Sequence, residues 1–217
     1  MKIHFQLRLL WLALAVTVFT NFLSFSNAVP IQLACSLAEL AAAGLITFVL
    51  SRLAGESARF HRAFIYQLLS FTLSVLLLVC ALIPSANDTL LVFTSLLSLT
   101  GGIAALLGKY QMYWALDERI IPLGYVFPAR RIRLCFYVPL LGAVLSAFAL
   151  AAAMTPQINA LAQLPEAALA QAQLPQPTPA QALPAALIQI VCQVIPLVLL
   201  FRYMRAVKAR EDDPLPG

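Results

Sequence analysis

Glu39 is a carboxylate set deep inside an otherwise apolar run of this sequence, and a group of that type in that place has few uses. It can carry a proton, hold a cation, or act in its protonated form as a hydrogen-bonding link between helices. Counting nine residues from Pro30 at helical rise puts it about 13 Å into the run. The same count from Pro184 brings Gln193 to a similar depth. Gln189 and Cys192 share its helix face by spacing, and Pro196, three residues on, deprives the Cys192 carbonyl of its helical partner. Ser74 and Thr100 lie at comparable depth in two further runs. Glu39, Gln193, Gln189, Ser74 and Thr100 thus form a candidate intramembrane polar site, with a link from Glu39 to Gln193 the first expectation and Ser74 or Thr100 the alternatives. Because no second charge accompanies Glu39 at depth, a protonated structural link is favoured over a proton or cation site.

Other chemistry finds no residues to carry it. His4 and His61 sit at the ends of apolar runs, and neither metalloprotease, nucleophile-elbow nor phosphate-loop spacing occurs. Cys35, Cys80, Cys135 and Cys192 lie one to a run without a CxxC pair, and read as small apolar side chains. No catalytic residue, metal site or cofactor is expected. Asp117 and Glu118 adjoin Arg119 and read as charged surface.

The elements that must position Glu39 follow from composition. With 62% hydrophobic and 11% charged residues, the chain has too little polar surface to cover a water-soluble globule. Six apolar runs, about 7–26, 30–51, 64–84, 89–109, 134–154 and 184–204, each approach the twenty or so residues that cross a hydrocarbon layer. The expected fold is an all-α, polytopic membrane helix bundle of six spans forming a single domain over 1–217. Lys2, Arg8 and Ser26-Asn27-Ala28 also match a secretory signal, whose cleavage would leave five spans. The run is long enough to span, however, so six is preferred.

All 14 Lys and Arg residues cluster at the start of the first run and around the ends of the second, fourth and sixth, which predicts that both chain ends and two loops face the cytoplasm. These clusters suit anionic headgroups, so the expected partners are the lipid bilayer and no nucleic acid. An Ala- and Leu-rich chain without organelle signals suits a bacterial inner membrane. The inner loop from Tyr110 to Arg133 interleaves Tyr110, Tyr113, Trp114, Tyr125 and Phe127 with basic residues, as expected of rings resting at the headgroup level. The outer stretch 155–183, rich in Ala, Gln and Pro, reads as a flexible connector, and 205–217 as a cytoplasmic tail. Asn87-Asp88-Thr89 matches a glycosylation acceptor.

Small residues at four-residue spacing mark helix-packing faces: Ala34, Ala38 and Ala42 in the second run, and Gly101, Ala105 and Gly108 in the fourth. Such faces serve the chain's own bundle or a further membrane subunit. In size, span count and the stripe of Ala34, Ala38 and Ala42 the chain resembles the substrate-binding subunits of energy-coupling-factor transporters, although it lacks a substrate-binding motif. That resemblance implies a small transport component or solute-binding subunit. The alternative is a non-catalytic scaffold or regulatory subunit packed against another membrane protein.

Overall fold

A computed structural model describes residues 3–23, 29–81, 88–120, 130–162 and 178–212. Among these residues there is no strand. The elements are α1 (Ile3–Leu23), α2 (Val29–Leu53), α3 (Ala58–Ala81), α4 (Asp88–Ile120), a short 3-10 turn (Arg131–Arg133), α5 (Leu134–Ala162) and α6 (Pro179–Asp212). All six α-helices are long and apolar enough to cross a membrane, so the chain is an all-α, multi-pass membrane protein. Its apolar side chains satisfy lipid on the outside and each other within, while every helix closes its own backbone hydrogen bonds. The signal-like Ser26–Ala28, the acceptor at Asn87, Tyr125, Phe127 and the centre of the 155–183 stretch lie outside the described residues.

The chain packs as two compact units, one comprising residues 1–136 with 197–217, the other residues 137–196. In the first, α3 lies against α4 over much of its length, and α2 contacts both α1 and α3. The turn between α2 and α3 follows from its residues. The Glu56 amide donates to the Leu53 carbonyl at 2.9 Å, and Ser57 caps α3 by accepting from the Phe60 amide at 3.2 Å. The core of this unit gathers at the end where α2 turns into α3. Leu7, Leu10 and Ala13 of α1, Val49, Leu50 and Leu53 of α2, Phe60 and Ala63 of α3, and Tyr203 and Val207 of α6 are all buried there. Trp11 Nε1 donates to the Leu197 carbonyl at 2.9 Å and the Tyr203 hydroxyl donates to the Leu116 carbonyl at 3.3 Å. Because Leu7 and Leu10 have no exposed surface, α1 is a structural member of the bundle.

Three elements differ from the sequence reading. Helix α4 does not end at Lys109 but runs on to Ile120, and Met112 through Asp117 are buried. Tyr110 and Trp114 therefore stack on each other with centroids 4.1 Å apart and meet Phe136 edge-on. Asp117 is likewise no surface residue: only 3% exposed, it accepts from the Arg130 amide at 2.9 Å and pairs with Arg133, whose guanidinium also lies over Trp114. Burial is tolerable because both oxygens have partners.

At the other end of the chain, α5 runs through Pro156 to Ala162 and α6 begins at Pro179, so both ends of the 155–183 stretch are helical. The start of α6 carries the return half of a capping box. The Thr178 carbonyl accepts from the Gln181 and Ala182 amides, the Gln181 side chain reaches back to the Thr178 amide at 3.0 Å, and Pro179 occupies the first helical position, where no donor is lost. The same helix continues to Asp212, which makes most of the expected tail helical. In the second unit α5 and α6 approach closely at Gly142, where an added methyl would fall 2.4 Å from the Cys192 Cβ.

Candidate functional site

Away from the buried core of the first unit, the four helices α1 to α4 separate around a partly open cavity of about 540 Å³. Polar residues at helical spacing face it from each wall. Thr17 and Asn21 lie one turn apart on α1, Ser36 and Glu39 on α2, and Gln67, Ser70 and Ser74 follow the same rule along α3. Lys109 of α4 completes the polar lining, and Leu14, Leu40, Ile46, Leu77 and Leu78 supply its apolar part. A cavity of this volume and mixed lining falls in the range that holds small organic ligands.

The local hydrogen bonds leave acceptors turned to this space. Thr17 donates to the Ala13 carbonyl at 3.1 Å, Ser36 to Gln32 at 3.0 Å and Ser74 to Ser70 at 3.0 Å, so each hydroxyl spends its proton on its own helix. Their oxygens keep lone pairs for another donor. Glu39 is half-buried and Lys109 accessible, and among the described residues neither makes a hydrogen bond or an ion pair, with the other or with any other group.

Their separation follows from the helices. Gly108 sits against Ala63 and Gln67, close to the start of α3, whereas Glu39 lies 14 residues from the end of α2 at the same turn. At helical rise the two Cα atoms differ by roughly 10 Å in level. Across such a gap, at an effective dielectric near 20, opposite charges attract by about 2 kcal/mol, less than the cost of stripping water from either. Something besides mutual attraction must satisfy them: water, protons or a bound molecule.

This arrangement brings a second charge, Lys109, to the cavity wall that carries Glu39. Lys109 was hidden because it ended an apolar run and joined a basic cluster in the sequence, yet α4 carries on for eleven residues beyond it. Gln67, Ser70, Thr17 and Asn21 were also missed, although their i, i+3 and i+4 spacing was visible.

The candidate residues separate as follows. Ser74 lines the cavity together with Glu39. Thr100 is exposed, donates to the Leu96 carbonyl at 2.8 Å and is not part of the lining. Gln189 and Gln193 belong to the second unit, where Gln189 Oε1 accepts from the Ser146 hydroxyl at 3.3 Å, while the lining comes wholly from α1 to α4. Of the small-residue stripes, Gly101 and Gly108 are buried against Leu73 and Gln67 of α3, and Ala105 faces the cavity. On α2 Ala42 is buried, Ala38 half-buried and Ala34 exposed.

Among the described residues no three His, Cys, Asp or Glu side chains gather to hold a metal ion. Comparison with protein-family models, with curated proteins and with solved structures returned no match.

Proposed function

We propose that this chain is a small membrane transport component that binds a polar solute in the cavity between α1 and α4. The observation that carries this reading is the pair of unpaired, oppositely charged side chains, Glu39 and Lys109, on the wall of one cavity within the spans. A carboxylate within a membrane-spanning helix, if its role were purely structural, would be expected to find a polar partner on a neighbouring helix, because leaving it unsatisfied costs several kcal/mol. Here Glu39 instead faces space large enough for a solute. If the basic clusters face the cytoplasm, the cavity occupies the outer half of the bundle and the packed core lies beneath it, a layout suited to capturing a solute from outside.

Thermal unfolding of the purified protein with a panel of polar solutes tests the proposal. A stabilising solute should act on the wild type in a concentration-dependent way, by about 2.7 kcal/mol at a hundredfold excess over Kd, and much less on Glu39→Gln. If no solute acts and a membrane protein co-purifies in fixed ratio, the chain is instead a scaffold or regulatory subunit.

A further inference from the structure

Building on the solute-cavity reading, we infer that the ligand is a small zwitterion with an apolar frame, its ammonium on Glu39 and its carboxylate on Lys109. The two charged groups of the wall are opposite in sign and do not pair with each other, so the cavity offers one anionic and one cationic anchor at different levels. Charge balance decides the ligand class. A simple cation or anion would compensate one anchor and leave the other to water alone, whereas a molecule carrying both charges compensates both and adds no net charge. A neutral polyol would leave both anchors without a counter-charge.

The space between the anchors sets the rest of the ligand. Ser70 lies at an intermediate level on α3 and Ser74 near the level of Glu39, where its oxygen retains acceptor capacity for the ammonium end. Leu14, Leu40 and Leu77 offer the remaining surface to an apolar body. With Cα levels roughly 10 Å apart and both side chains able to reach inward, the geometry suits a molecule whose two charges are several ångströms apart or whose frame lets the side chains close on it.

The test uses the full chain in detergent or nanodiscs and reads the unfolding temperature. Glycine, leucine, 4-aminobutyrate, 6-aminohexanoate and dialanine form a series of zwitterions graded in charge separation and apolar content. Butylammonium, butyrate and glycerol carry only the cation, only the anion, or neither. At least one zwitterion should stabilise the wild type at a concentration tenfold or more below that needed by any control. Glu39→Gln and Lys109→Gln should each abolish that advantage, Glu39→Gln sparing the weak effect of butyrate and Lys109→Gln that of butylammonium. Glycerol or a singly charged control acting as well as every zwitterion would overturn the inference while leaving a solute cavity in place. No effect from any of these compounds or from a wider panel of polar solutes would overturn the cavity reading itself. The wild-type series carries this decision even if a variant fails to fold.

Discussion

Gly142→Ala should destabilise the second unit through a single contact. The added Cβ would sit 2.4 Å from the Cβ and 2.8 Å from the Sγ of Cys192, both well inside van der Waals contact. The Sγ could swing aside about χ1, but the Cβ is fixed by the backbone, so the helices themselves must part, by roughly 1 Å or more. Overpacking of this kind costs about 1–3 kcal/mol. The opening also strains the nearby Ser146 to Gln189 hydrogen bond, which is already 3.3 Å long and whose loss adds about 1 kcal/mol. A total of about 2–4 kcal/mol follows, measurable by thermal or denaturant unfolding in detergent. A second substitution isolates the cause. Cys192→Gly removes both clashing atoms and should restore part of the loss in the double variant, with an interaction energy on the order of 1–2 kcal/mol. Cys192→Ala keeps the nearer atom and should restore little. Wild-type stability in Gly142→Ala, or equal rescue by Cys192→Ala and Cys192→Gly, would refute the reasoning.

Asp117→Ala should cost about 2–3 kcal/mol in unfolding experiments, since it removes the acceptor of the Arg130 amide and the partner of Arg133 in a buried place, and Asp117→Asn should cost less because an acceptor remains. Arg130 holds a left-handed backbone at φ 75°, so Arg130→Gly should be neutral or stabilising by up to about 1 kcal/mol while Arg130→Val loses about 1–2 kcal/mol. Gly101→Leu should cost about 1–3 kcal/mol, because Leu73 of α3 already lies 3.5 Å from where its first carbon would stand, whereas Gly101→Ala should be nearly silent.

The six spans were legible because a bilayer imposes a length on apolar runs, and that constraint survives errors at every end. The ends themselves were not. Lys109 looked like a boundary, but a helix stops only where its backbone finds other partners, and α4 instead buries Tyr113 and Asp117 in its next two turns. Pro184 looked like the start of α6, yet the Gln181 side chain caps the helix upstream at the Thr178 amide and outweighs one interior proline. The site was half legible for a related reason. Counting residues gives depth, and Ser74 and Glu39 do line one cavity, but it says nothing of which way a residue faces around the helix. Thr100 shares the depth and faces outward. Facing is written in the i, i+3 and i+4 recurrence of Gln67, Ser70 and Ser74, a signal present in the sequence and left unused.

The central claim is that the space beside Glu39 is a polar cavity open to solute, and the reactivity of a thiol at position 74 tests it most directly. All four native cysteines are first replaced, and Ser74→Cys is compared with Leu96→Cys, which replaces a side chain 58% exposed on the outer surface of α4 and therefore turned to lipid. A charged, membrane-impermeant thiol reagent attacks only the hydrated thiolate. The cavity predicts that Ser74→Cys reacts at least roughly tenfold faster than Leu96→Cys, and more slowly once a stabilising solute is bound. Equal, negligible labelling at both positions would mean that the space beside Glu39 is closed to water, and would contradict the account.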